Sequence, residues 1–148
     1  VTTLREAVKT LFEGDATFMA LATGGVHDAD SLGRQQLELN DITAGTPIVQ
    51  PALFIRWTGE VPFSASVLEA RSVFCELYFF DDSSYDTIRQ MRERAYTLLH
   101  QQTVTFDEPS SDYLYAFRWV GDVLEQTDDT LAGAFMERSR YEGHLKRN

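Results

Sequence analysis

The residue types able to hold a metal come closest together at His27-Asp28-x-Asp30. Asp28, Asp30 and Gly33 match the first, third and sixth positions of a calcium-binding loop, whose remaining ligands are oxygens at later positions. Position five is Leu32 and position twelve is Leu39, and neither side chain carries an oxygen. The match therefore fails as a calcium site, and a polar loop is the better reading of this stretch. A small metal-dependent enzyme using His27, Asp28 and Asp30 is kept as a lesser alternative.

Other chemistry-bearing types are scattered. The remaining histidines, His100 and His144, fall in elements far from His27. Gly24-Gly25 lacks the Lys and Ser/Thr of a phosphate loop and follows a helical pattern instead of preceding one, so it reads as a helix stop. Ser64, Ser66, Ser110 and Ser111 have no nucleophile-elbow context. Asp81-Asp82 and Asp128-Asp129 occupy predicted turns, where carboxylates cap backbone N–H groups without doing acid–base work. Cys75 alternates with Val73 and Leu77, which predicts a buried, inert thiol. No catalytic, cofactor-binding or metal-ligating residue is expected.

The elements that position these residues follow from hydrophobic period. Leu4, Ala7, Val8, Leu11 and Phe12 recur at helical spacing, and Thr3 with Glu6 has the spacing of a capping box. Gly14 ends that helix, and Asp15 caps a shorter one carrying Phe18, Met19 and Leu21. Residues 23–51 show neither period and contain Gly33, Gly45, Pro47 and Pro51. Such a stretch predicts a long loop or arm, mobile in a monomer and ordered by something outside it.

Leu53, Ile55 and Trp57 predict a strand over residues 53–58, broken by Gly59 and Pro62. Residues 66–80 carry the longest alternation, apolar on both faces beyond Arg71, as a central strand covered on both sides requires. Tyr85, Ile88, Met91, Ala95, Leu98 and Leu99 predict a helix lying on the sheet. Residues 112–124 and 131–146 alternate again around an acidic turn, predicting an antiparallel hairpin. The expected order is helix, helix, strand, strand, helix, strand, strand. That is a single α+β domain over residues 1–148, with a roughly four-stranded, mainly antiparallel sheet.

Arg138, Arg140, Glu142, His144 and Lys146 share parity, so a regular strand presents them on one face. On an isolated protein this is a solvated face. On a self-associating one it is a surface for the acids Asp81, Asp82, Asp128 and Asp129 of a neighbouring copy. These eight ionisable residues, Glu142 apart, are the candidate interface set.

Composition bounds the class. The chain has 148 residues, 43% hydrophobic, with ten Phe, six Tyr and two Trp. A chain of that size buries roughly two-thirds of its unfolded surface, enough for a core without disulfide staples. A single cysteine predicts a reducing compartment, and the start of the sequence reads as an amphipathic helix and not as a leader peptide. With 23 acidic against 13 basic residues, the formal charge is −10. Phosphate neutralisation is then an unfavourable default for binding nucleic acid.

Taken together, these pieces resemble the tail terminator (tail-completion) proteins of long-tailed bacteriophages and related phage-like particles. The resemblance rests on LREAVKTLFEGD followed by ATFMALATGGVHD, then the strand PALFIRW behind a proline-bearing loop. It continues through the strand RSVFCELYFFD, the helix SYDTIRQMRERAYTLL and closing strands ending near SRYEGHLKR. It covers most of the chain by order and spacing, while no single piece is a signature.

The resemblance implies a structural virion protein without catalysis: a homo-oligomeric ring, commonly a hexamer, on the head-proximal end of the tail tube. Such a ring ends tube polymerisation and offers the surface on which the filled head docks. Implied partners are further copies of the chain, the major tail tube protein, a head-completion or stopper protein and the tape measure protein. DNA passes through without specific binding. Manufacture in a bacterial cytoplasm and a final place in the tail neck are implied with it. A head–tail stopper or adaptor is the nearest alternative. The stretch over residues 23–51 is longer than the family's pattern, so no loop contact is carried over.

Overall fold

The computed structural model describes residues 3–28, 42–43, 46–47, 50–64, 67–106, 113–128 and 134–146. Helix α1 (Leu4–Glu13) begins as its sequence predicts. Thr3 Oγ1 accepts the Glu6 N–H at 3.2 Å, while a Glu6 carboxylate oxygen accepts the Thr3 N–H at 2.8 Å. This reciprocal pair satisfies two N–H groups that the first helical turn leaves orphaned. Leu4, Ala7, Val8 and Phe12 are the buried stripe.

Asp15 caps α2 (Ala16–Leu21) by accepting the Phe18 N–H at 2.8 Å. The helix stops at Ala22, whose N–H reaches Phe18 O, and Gly24-Gly25 then turns the chain into the sheet. Both glycines have a physical reason. Gly25 has φ +93, and a Cβ on Gly24 would stand 3.0 Å from the Gln50 carbonyl oxygen.

The sheet has five strands in the order β1 (Gly25–Asp28), β4 (Ala52–Ser64), β5 (Val67–Asp81), β7 (Ala134–Lys146) and β6 (Tyr113–Asp128). Strand β1 runs parallel to β4, with Gly25 opposite Ala52 and Asp28 opposite Ile55; the other pairings are antiparallel. A separate two-strand ladder joins β2 (Ile42–Thr43) to β3 (Thr46–Pro47). Helix α3 (Tyr85–Leu99) links β5 to β6 across the sheet. The fold is α+β, as the periodicity predicts, with β5 in the centre.

Three expectations are corrected. Residues 25–28 form a strand where a loop over residues 23–51 is expected, because the parallel ladder comes from a segment 27 residues downstream. Most of that expected loop, including Asp30, Gly33 and Leu39, lies outside the described residues. Strand β4 continues through Gly59 and Pro62 instead of breaking, since register shifts between Trp57 and Gly59 and between Pro62 and Ser64 absorb the irregularity. Among the described residues β1 pairs only Ala52–Ile55, so Pro62 sits where β4 has a partner on one side alone, the kind of strand position that tolerates a proline. Finally, β6 runs on to Asp128, through most of the predicted acidic turn.

The main core lies between the helices and one face of the sheet. Leu53, Ile55, Val73, Cys75, Leu77, Phe79, Phe117, Tyr141 and Leu145 meet Val8, Phe12, Phe18, Ile88, Met91, Ala95 and Leu99 there. Each fully buried side chain of this size contributes about 2 kcal/mol of transfer free energy. A second cluster, Ala52, Phe54, Tyr78, Phe80 and Ala134, sits on the opposite parity. The sheet is thus apolar on both faces at the Phe80 end, as expected of a central strand. Toward the other end the same parity carries Glu76, Arg138, Arg140 and Glu142, which is not expected from the alternation of β5 alone. No helix among the described residues is long and apolar enough to cross a membrane.

Candidate subunit interface

Strand β6 ends the sheet on one side, and edges are where chains meet. It is irregular, with register shifts between Leu114 and Phe117, Trp119 and Gly121, and Val123 and Gln126. The segment after α3 covers part of its outer edge. Gln101, at φ 58, donates its N–H to Phe117 O at 2.7 Å, and the Phe117 N–H goes to Gln102 O at 3.0 Å. His100 Nδ1 accepts the Trp119 N–H at 3.0 Å, which places that ring's proton on Nε2. Beyond Trp119 no further edge partner is present among the described residues.

That open stretch is apolar. Trp119, Val120, Val123 and Leu124 are 37% to 50% exposed, and Tyr96 of α3, itself 43% exposed, meets Trp119 edge-on at 6.0 Å. These account for five of the six large apolar side chains exposed among the described residues. Trp119 and Tyr96 lie on the helix side of the sheet, and Val120 and Val123 beside Arg138 and Arg140 on the other, so the exposed apolar groups wrap the edge of β6. Single exposed apolar residues are ordinary, whereas several gathered at one edge mark a contact surface.

The exposed group stands on a rigid ionic base. Arg92 of α3 donates from Nη1 to Asp122 at 3.0 Å and from Nε to Glu137 at 3.1 Å. Asp122 also accepts from Ser139 Oγ at 2.6 Å and from Trp119 Nε1 at 2.9 Å. Glu137 accepts the N–H of Glu125 at 3.1 Å, holding that residue at φ 52, a left-handed conformation unusual for a residue with a Cβ. Tyr85 Oη donates to Gln126 O at 2.8 Å. Two carboxylates on one guanidinium leave this base with one excess negative charge.

A cavity of about 380 Å³ opens beside it, lined by Arg92, Glu93, Tyr96, Trp119, Asp122, Ser139 and Tyr141. Tyr141 is fully buried at its floor, and its Oη has no hydrogen-bond partner among the described residues. Burial raises the Tyr141 phenol above its ordinary range, so it stays a neutral donor.

Arg138, Arg140 and His144 share one face of β7. Arg138 stands 3.8 Å from Glu76, Arg140 lies over the Phe74 ring at 4.6 Å, and His144 meets Glu142 at 3.0 Å. Glu142 also takes Arg118 at 2.7 Å, and that guanidinium, the largest influence, holds its carboxyl below the usual range. Arg138 and Arg140 line a second cavity of about 250 Å³ with Val120, Gly121, Asp122 and Val123, so the basic face adjoins the apolar edge. Lys146 pairs by backbone with Ala70 and Tyr113 at the far end of β7.

The predicted acids separate. Asp81 is buried, and its carboxylate accepts the N–H and Oγ of Ser83, so it is spent inside the turn rather than offered to a neighbour. Asp82 is exposed beside it. Asp128 pairs with Ala134 at that same end of the sheet, and Asp129 lies outside the described residues. The acids and the end of the basic strand are therefore at opposite ends of β7, roughly 40 Å apart at the rise of a strand.

His27 and Asp28 do not form a ligand pair. Successive strand residues point to opposite faces, His27 bonds Gly24 O at 2.7 Å, and Asp28 shares the core face with Val26. Asp30 lies outside the described residues.

One solved structure is alike over nearly the whole length. It is a chain of the virion of a native gene transfer agent particle, with a TM-score of 0.65 and 15% identity, covering 97% of this chain and 94% of that one. At that identity the likeness is one of fold. No family model and no curated protein matches the sequence.

Sequence reasoning missed the Arg92–Asp122–Glu137 base. A signal was present in Glu137 and Ser139, polar residues at the parity that buries Tyr141 and Leu145. Their partner lies 45 residues away from Glu137 on α3, which no periodicity links to them.

Proposed function

We propose that this chain is a non-enzymatic structural subunit of a phage-like particle, a tail terminator that forms a ring, taken as a hexamer, on the head-proximal end of the tail tube. The observation that carries the reading is the whole-length likeness to a chain of a gene transfer agent virion. The contiguous apolar edge at β6 supports it, because a monomer gains nothing from leaving Trp119, Val120, Val123 and Leu124 in water.

In this reading the ring ends tube polymerisation and offers its outer face to a head-completion or stopper protein. The tube protein meets the other face, and the tape measure protein contributes to the length at which capping occurs. Six copies at −10 each carry about −60 before screening, so DNA traversing the channel is repelled from its wall. Ring closure uses a heterologous contact, one patch on a different patch of the next copy. Arg138 and Arg140, beside the β6 edge, and His144 and Lys146 further along β7 are proposed rim cations of the ring; Asp82, Asp128 and Asp129 are the proposed acids. Residues 1–148 act as one α+β domain in it.

The test is imaging of purified protein at high concentration, joined to a tube-growth assay. A ring with a hole wide enough for duplex DNA, and tubes that stop growing when it is added, are the expected results. A ring that leaves tube growth unchanged points to a stopper or adaptor. A chain that stays monomeric at every concentration and leaves tubes unaffected removes the reading.

A further inference from the structure

On the helix side of the sheet, the two edges carry opposite surplus charge among the described residues, whereas Arg138 and Arg140 stand on the other side. On the β6 side, Glu93 and Glu125 are exposed, and neither carboxylate is in an ion pair among the described residues. They stand around a base that already has one excess negative charge. At the opposite edge, β4 beyond Ile55 has no outer partner among the described residues, and residues 58–61 are all exposed.

That second edge is flanked by α1 and is basic. Glu6 is spent on the α1 cap and Glu60 on Arg71 at 3.0 Å. Arg5 and Lys9 remain, neither with an ion pair among the described residues, against the carboxylate of Glu13; Arg56 is exposed on the opposite face of β4. Beneath the start of α1 lies a cavity of about 550 Å³, walled by Leu4, Trp57, Val73, Phe106 and Leu145. Among the described residues the buried Trp57 Nε1 has no hydrogen-bond partner, and neither has Tyr141 Oη in the cavity beside β6.

Among the described residues, each edge thus combines an open strand, a cavity with an unanswered polar atom, and, on the helix side, a surplus of one sign of charge. We propose that, granted the ring reading above, the acidic α3–β6 edge of one copy takes the basic α1–β4 edge of the next. The occupant is a second copy of this chain. Charge complementarity decides it: like edges repel, which disfavours a two-fold dimer through either edge, while unlike edges attract and propagate head to tail. Arg5 and Lys9 face Glu93 and Glu125, and the aromatic pair Tyr96 and Trp119 supplies desolvated flanks on which a cation gains further.

The experiment uses two full-length charge-reversed variants, Glu93→Lys with Glu125→Lys, and Arg5→Glu with Lys9→Glu. The first makes both edges basic and the second makes both acidic, so each alone repels itself. Sedimentation velocity is read for each alone and for an equimolar mixture, with circular dichroism melting as the folding control. Each variant is expected to need at least about tenfold more protein for half-assembly than the parent chain. The mixture is expected to assemble as the parent does, by alternating copies.

If the parent forms rings and both variants assemble equally well, the edge assignment is overturned and the ring reading stands. If variants fail alone and the mixture also fails, the pairing of these two edges is overturned. A parent chain that is monomeric throughout overturns both.

Discussion

Arg94 of α3 holds Asp15 through two hydrogen bonds, Nε to Oδ2 at 2.9 Å and Nη2 to Oδ1 at 2.7 Å, while that same carboxylate caps α2. One side chain therefore fixes where α2 starts and how it sits against α3. The Arg94 hydrogen bonds, ahead of the Phe18 N–H, hold the Asp15 carboxyl below its ordinary value. The folded pKa being the lower one, the stabilisation is fully present above the unfolded value near 3.9 and is lost as pH falls through the folded one. Asp15→Ala is expected to cost about 1 kcal/mol at neutral pH through the lost cap. Urea unfolding at pH 7 and again below pH 3 checks it, because the difference between parent and variant should shrink at the lower pH.

Removing Arg92 leaves Asp122 and Glu137 facing each other with their counter-ion gone, and Glu137 is buried. Arg92→Met is expected to destabilise by about 3 kcal/mol, since an uncompensated buried charge costs more than the pair contributed. Arg89→Met removes only an exposed pair with Asp86, at 3.3 Å, and is expected to cost less than about 0.5 kcal/mol. Denaturant midpoints of the two variants, compared side by side, decide whether the ionic base is structural.

Leu124 and Val120 are exposed and meet no core cluster. Val120→Ser with Leu124→Ser is expected to leave the thermal midpoint of dilute protein within about 0.5 kcal/mol equivalent of the parent. Assembly at high concentration is expected to weaken at least about tenfold, as loss of apolar contact at an interface does. Equal assembly of parent and variant in sedimentation would mean that the β6 edge stays wet in the particle.

Arg138 and Arg140 adjoin the β6 edge on the face of the sheet away from the helices, where the proposed ring sets them against a neighbour's acids and not against its Arg5 and Lys9. Reversing both to Glu is expected to shift the proposed ring toward monomer in sedimentation at ordinary ionic strength. Because rim charges are screened by salt, the parent's assembly is also expected to weaken as salt rises. An unchanged mass for the variant counts against a role in the contact.

Cys75 is fully buried in the centre of the sheet, and burial pushes its thiol up to about 12. A thiol reagent at pH 8 is expected to leave the native protein unmodified and to label one site when urea is added. Fast labelling of the native chain would show that β5 opens far more readily than its central place allows.

Local physics made a large part of this fold legible before any coordinates. The Thr3 and Glu6 box, the stripes of α1 and α3, and the alternation of β5 depend on residues a few positions apart, whose period states which face is buried. The closing hairpin was legible for the same reason. Strand β1 was not: four residues, one of them glycine, show no alternation, and the ladder that makes them a strand arrives from β4. Nor was the continuation of β4 past Gly59 and Pro62, because whether a proline breaks a strand depends on which side has a neighbour.

The interface divides in the same way. Sequence by itself determined the charge of the chain, the shared face of Arg138, Arg140 and His144, and the poverty of catalytic groupings, since all of these are set by composition and parity. Only the tertiary structure decided that Asp81 is buried, that Arg92 joins Asp122 and Glu137, and that β1 and β6 end the sheet with β5 at its centre. The Arg92 contacts join residues 30 or more positions apart, and burial and strand order are set by packing the whole chain at once.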